Sequence, residues 1–125
     1  MERREFLLSL PFFLLTLRTG VAFANKSSTT IEAPETVQKG SEVTIRVTVH
    51  HKGNNFLHYT NWLSVKVNQK EVARWEFSSG NRPEAEVFTR EVKHTALEDM
   101  EVVAQANCNL HGSTGPSVAK IAVKG

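Results

Sequence analysis

The chain has only one cysteine, Cys108, among its 125 residues. An intramolecular disulfide is therefore excluded, although small exported domains often depend on disulfides. An odd cysteine leaves four roles open: an intermolecular disulfide, a reactive thiol, a buried inert thiol or a metal ligand. The sequence around Cys108 is the evidence that distinguishes between these roles.

The chain also lacks a strong charge of one sign and a long hydrophobic run. Residues 1–24 combine the pair Arg3-Arg4, an apolar run over residues 7–17 and the small-x-small pattern Ala22-Phe23-Ala24. A membrane-spanning helix needs about 20 apolar residues, and Arg18 interrupts this shorter run. We therefore predict a twin-arginine (Tat-type) signal peptide over residues 1–24, with an uncleaved anchor as the alternative.

Cleavage before Asn25 would leave one domain over residues 25–125, exported to the periplasm and not stably inserted in the membrane. Of the 15 basic and 13 acidic side chains, 12 and 11 lie in this domain. The near balance gives no argument for binding nucleic acid or an anionic membrane surface. A homo-oligomer remains open.

No stretch of the mature domain has a convincing helical pattern, apart from one candidate helical turn over residues 96–100. Val43, Ile45, Val47 and Val49 alternate with polar residues, which is typical of a half-buried strand. Asn68-Gln69 has the chemistry of a hairpin turn, and residues 78–83 that of a loop. About seven short strands with regular turn signals predict an all-β, immunoglobulin-like antiparallel sandwich. They cover residues 31–34, 43–49, 62–67, 72–77, 84–92, 100–106 and 118–123.

Cys108 lies three residues before His111, in the segment Cys108-Asn109-Leu110-His111-Gly112. A thiolate and an imidazole at this spacing reach one metal ion if the loop bends, and this ligand pair suits iron, copper or zinc. His50, His51 and His58 flank another loop. If both loops lie at the same end of the sandwich, their side chains converge, since such sites usually lie on loops held by a rigid scaffold.

Three segments of the sequence resemble the superoxide reductases, the desulfoferrodoxin and neelaredoxin iron proteins. They are Ile31-Glu32-Ala33-Pro34-Glu35, the stretch His51…His58-Tyr59-x-x-Trp62-Leu63, and Cys108-Asn109-Leu110-His111-Gly112. The resemblance extends from Lys26 to about Val123. Because the chain has no Cys-x-x-Cys pair, it is similar to the single-iron, neelaredoxin-type members.

The resemblance implies one mononuclear non-haem iron as cofactor, with four equatorial histidines and an axial cysteine. Carried onto this sequence, the ligands are His51, His58, His111 and the axial Cys108. The implied reaction reduces superoxide to hydrogen peroxide with an electron from an external donor. Lys26 corresponds to the lysine that attracts superoxide.

The sequence departs from this family pattern at several positions. Ser27 stands where the fourth histidine is expected, and Asn25 where many members have a glutamate. The first loop is one residue longer, and Lys52 replaces a proline. His50 is a candidate for the missing imidazole, although neighbours on a strand point to opposite faces. The alternative is a site with three histidines and the cysteine.

Two other functions remain open from the sequence. A copper electron carrier would use one cysteine and two histidines, but the only methionine of the mature domain, Met100, lies before Cys108 rather than after His111. An immunoglobulin-like binding or carrier module with a degenerate metal site would account for Ser27. His94 is expected at the surface, and Trp62 in the core.

Overall fold

The computed structural model describes residues 26–125. The predicted signal peptide and Asn25 lie outside the described residues. Among residues 26–125, no helix is long and apolar enough to span a membrane. The described chain forms eight strands: β1 (Ser28–Glu32), β2 (Thr36–Gln38), β3 (Glu42–His50), β4 (Thr60–Val67), β5 (Lys70–Glu76), β6 (Val87–Thr95), β7 (Met100–Cys108) and β8 (Ser117–Lys124).

The strands form two sheets, and the predicted all-β sandwich is confirmed. One sheet has the order β1-β3-β6, and the other has the order β2-β8-β7-β4-β5. The prediction of about seven strands missed β2, which pairs parallel with β8 whereas the other pairs are antiparallel. Three residues are too few to show an alternating pattern, so the sequence carried little signal for β2.

The core lies between the two sheets and follows from the alternation of each strand. Val43, Ile45, Val47 and Val49 of β3 are all buried, while Glu42, Thr44 and Arg46 are exposed. The opposite sheet contributes alternating apolar residues from β4 and β7, together with Ile121 of β8. Burial of an aliphatic side chain of this size contributes about 1.5–3 kcal/mol, which makes this alternation the main determinant of the fold.

Two local predictions have opposite outcomes. Asn68 and Gln69 have φ values of 51° and 72° and connect β4 to β5, so the predicted hairpin turn is confirmed. The helical turn over residues 96–100 is wrong, since this segment contains no helix. Polar groups of this segment form hydrogen bonds with other parts of the fold instead. The Ala96 amide donates to the Ser41 carbonyl, and the Asp99 carboxylate accepts from the Val123 amide.

One end of the sandwich collects the loops that carry the candidate ligands. Strand β3 ends at His50, and β4 begins at Thr60, directly opposite Cys108 at the end of β7. The loop over residues 51–59 and the loop over residues 109–116 therefore start from the same end of the sandwich. This is the arrangement on which the predicted metal site depends.

Candidate metal centre

The segment from Cys108 to Gly112 forms a tight turn around the cysteine sulfur. The Cys108 amide donates to the Gly112 carbonyl at 2.8 Å, and the Gly112 amide returns a bond of 3.0 Å to the Cys108 carbonyl. Inside this turn the amides of Leu110 and His111 point at Cys108 Sγ, at 3.4 and 3.3 Å. Two donors aimed at one sulfur suit a thiolate, which accepts hydrogen bonds, and fix its direction.

Three imidazoles surround this sulfur. One potential ligand atom from each of His51, His58 and Cys108 lies within 4.8 Å of the other two. His111 Nδ1 lies 3.8 Å from Cys108 Sγ and 3.1 Å from His58 Nε2. The His58 ring stands nearly perpendicular to the His51 and His111 rings, at 86° and 77°. Three imidazoles and one thiol therefore converge on a small volume.

The site is closed on one side and open on the other. Cys108 and His51 are almost fully buried, with exposed fractions of 1% and 5%. His58 is half-buried, and His111 is exposed. The site is therefore accessible to solvent from the His111 side, while the fold shields the sulfur.

Asn109 joins the two loops that supply the candidate ligands. Its amide donates to the Tyr59 carbonyl, and its Oδ1 accepts from the Tyr59 amide at 2.9 Å. Its Nδ2 donates to the Leu57 carbonyl at 3.1 Å. Asn55 adds a turn inside the first loop, since its Oδ1 accepts from the amides of Leu57 and His58. These bonds place His58 opposite His111.

The desulfoferrodoxin family model matches residues 19–114, which is more than half of the chain. The chain belongs to the desulfoferrodoxin family. No curated protein sequence matches it significantly.

Several solved structures share the fold of this chain. The superoxide reductase (neelaredoxin) of Ignicoccus hospitalis has a TM-score of 0.70 and 22% identity, over 86% of this chain and 89% of that chain. A candidate superoxide reductase of Thermotoga maritima has a TM-score of 0.63 and 28% identity, over 78% and 86%. The sulfur carrier SoxY of Chlorobium limicola f thiosulfatophilum, at 0.55 and 16% over 77% and 78%, shares the fold alone.

This desulfoferrodoxin-family chain has a buried hydroxyl pair where the resemblance implies a fourth histidine. Ser27 is fully buried, and its Oγ shares a hydrogen bond of 2.8 Å with Thr60 Oγ1. Its amide donates to the Gly112 carbonyl, and its carbonyl accepts from the Thr114 amide. Residue 27 is therefore attached to the cysteine loop by its backbone, while its side chain is bonded to Thr60.

The remaining predicted residues lie around this group. His50, the candidate replacement ligand, is exposed at the end of β3 and is not part of the group of His51, His58 and Cys108. Lys26 is half-buried and precedes Ser27, so it lies close to the cysteine loop. His94 is half-buried, which differs from the surface position expected for it, and Trp62 is only half-buried rather than part of the core.

The donor set in this desulfoferrodoxin-family site fits a soft or borderline metal ion. Sulfur and imidazole suit iron, copper and zinc better than calcium or magnesium, which prefer oxygen. Two imidazole nitrogens 3.1 Å apart repel through their lone pairs unless a proton or a cation lies between them. Met100 lies at the opposite end of the nine-residue β7, roughly 27 Å from Cys108 at ~3.4 Å per residue, so it cannot be a shared copper ligand.

Sequence reasoning missed Asn109 and Gly53 as residues that shape the site. Asn109 was visible only as part of the cysteine motif, and its bonds to the other loop arise from tertiary structure. A glycine between two histidines was the only signal for Gly53, whose backbone lies against the His58 ring.

Proposed function

We propose that this protein is a mononuclear non-haem iron enzyme that reduces superoxide to hydrogen peroxide. The observation that carries the proposal is the convergence of His51, His58 and His111 on the buried Cys108 sulfur. Membership of the desulfoferrodoxin family supports the same chemistry. In the reaction, superoxide takes up one electron and two protons, and an external one-electron donor supplies the electron.

The residues of the site would have distinct roles. The three imidazoles would hold the iron, and the Cys108 thiolate would be its fourth protein ligand. When bound, iron supplies the single electron that superoxide takes up, and a thiolate ligand increases the electron density available for it. The amides of Leu110 and His111 hold the sulfur in one direction.

The approach of superoxide depends on charge and access. Superoxide is an anion, and the Lys26 ammonium would attract it toward the cysteine loop. The exposed His111 leaves a route from solvent, which also supplies the protons. His51 and Cys108 close the other side, so the reaction would take place at the end of the sandwich and not inside it.

The test is metal analysis and a visible spectrum of the full chain, loaded anaerobically with Fe(II) and then oxidised. We expect one iron per chain and a thiolate-to-ferric band, which Cys108→Ser should abolish, together with consumption of superoxide. Failure to bind stoichiometric iron would contradict the proposal and favour a carrier module with a degenerate site. An intense blue band on copper loading would favour a copper electron carrier instead.

We also propose that the protein acts in the periplasm after export by the twin-arginine route. The support is the sequence of residues 1–24, with Arg3-Arg4, a short apolar run and Ala22-Phe23-Ala24. Replacing both arginines by lysine should leave the unprocessed chain in the cytoplasm. If the double variant is still exported and cleaved before Asn25, the route is not the twin-arginine one.

A further inference from the structure

The loop between His51 and His58 contains Gly53, whose backbone lies against the His58 ring. Gly53 has φ = +142°, a conformation that residues with a side chain rarely adopt. A Cβ placed on it would lie 2.5 Å from His58 Nδ1, 2.8 Å from Cε1 and 3.1 Å from Cγ. Real Cβ atoms do not approach ring atoms this closely, so only glycine leaves room for the imidazole.

The loop on both sides of Gly53 is attached to the rest of the fold. The His51 amide donates to the Glu86 carbonyl at 3.0 Å, and Asn54 Nδ2 donates to the Pro83 carbonyl at 2.9 Å. The hydrogen bonds of residues on both sides of Gly53 therefore hold its backbone in place, so that it cannot easily move away from the His58 ring. A side chain at this position would have to move His58 instead.

The orientation of the His58 ring follows from this contact. Its Nδ1 edge faces Gly53, and its Nε2 lies 3.1 Å from His111 Nδ1, which in turn lies 3.8 Å from Cys108 Sγ. We infer that Gly53 is a positioning residue of the metal centre, which packs against the Nδ1 side of His58 and presents Nε2 as the ligand atom. This inference rests on the proposed metal-binding function.

The first test is a Co(II) titration of the full-length chain, followed by the thiolate-to-cobalt absorption band. Gly53→Ala should raise the dissociation constant for Co(II) about 10- to 100-fold, the usual cost of disturbing a group that orients a metal ligand. Gly40→Ala is the matched control, because Gly40 also has a positive φ (+88°) but a Cβ placed on it would meet no heavy atom within 4 Å. Equal affinities of the Gly53→Ala and Gly40→Ala variants would overturn the inference.

The second test needs no metal and separates the ring contact from backbone strain. Gly53→Ala should lower the urea midpoint of the metal-free chain more than Gly40→Ala does. In a His58→Ala background the ring is gone, so this excess should disappear; if it persists, the contact with His58 is not its cause and the inference fails. A parent chain without a cobalt band would count against the proposed function, and this cycle would still decide whether Gly53 packs against the His58 ring.

Discussion

The hydroxyl pair of Ser27 and Thr60 allows a sharp test of how the fold accommodates the departure from the family pattern. The two side chains share a hydrogen bond of 2.8 Å, and their exposed fractions are 0% and 2%. Thr60→Val keeps the shape of the side chain but removes the hydroxyl. It leaves the Ser27 hydroxyl buried without this partner, where water cannot easily replace the bond.

The expected cost follows from burial. Leaving a buried hydroxyl without its partner costs about 1–3 kcal/mol, whereas removing both hydroxyls is nearly neutral. The double variant Ser27→Ala/Thr60→Val should therefore be within about 1 kcal/mol of the parent, although Thr60→Val alone is less stable. For a domain of this size, a loss of 1 kcal/mol lowers Tm by about 4–8 °C.

Urea unfolding of the metal-free chain, followed by tryptophan fluorescence, measures these free energies. The matched control is Thr89→Val, because Thr89 forms the same kind of hydroxyl pair with Thr48, at 3.1 Å, on an exposed face. Since water can take the place of the lost partner there, we expect a change within about 0.5 kcal/mol. If the effects of Ser27→Ala and Thr60→Val simply add, the reasoning is refuted.

Three further predictions concern the site and the surface. Asn109→Ala should weaken Co(II) binding about 10-fold or more, measured by titration, because it removes the side-chain bonds that join the two ligand loops. His51→Ala should weaken Co(II) binding about 10-fold or more in the same titration, while His50→Ala should leave the affinity unchanged; an equal loss of affinity in the His50 variant would make His50 a ligand. Arg90 lowers the pKa of Glu84 by a two-point hydrogen bond. A carboxylate with a lowered pKa stabilises the fold above its unfolded-state pKa, and this contribution is lost as the pH falls through the folded-state pKa. Because solvent screens this pair, Glu84→Gln should lower the free energy of unfolding by at most about 1 kcal/mol at pH 7. Near pH 2 it should have no effect, which urea unfolding at the two pH values measures.

Strand patterns predicted most of the fold, because alternation reports directly which face is buried. The strand from Glu42 to His50 and the turn at Asn68-Gln69 are where the pattern placed them. The first strand lies earlier than predicted, at Ser28–Glu32, because its register is set by pairing with β3 and its polar residues hide the alternation. The three-residue β2 depends on parallel pairing with β8, which no local pattern encodes.

For the candidate site, the sequence indicated the candidate ligands but not the contacts that support them. The motif from Cys108 to Gly112 and the histidines at 51 and 58 indicated the residues that the structure brings together; that they bind iron stays a prediction. The contact of Gly53 with His58 joins positions of one loop but depends on backbone conformation. The bond between Ser27 and Thr60 joins positions 33 apart, which only the assembled sheets bring together.

The arrangement of the candidate site does not depend on the side chain of residue 27. The loop with His51 and His58 is held by Asn109, Asn55 and the bonds to Glu86 and Pro83, none of which involves the Ser27 side chain. The cysteine turn closes through its own backbone bonds between residues 108 and 112, and the hydroxyl of Ser27 is satisfied by Thr60. Replacing the histidine implied by the family at position 27 therefore removes one imidazole without loosening the other three or the sulfur. If the site binds a metal as proposed, the consequence to expect is a change in metal affinity and reactivity at an intact scaffold, because no hydrogen bond that arranges the remaining candidate ligands involves the side chain of residue 27.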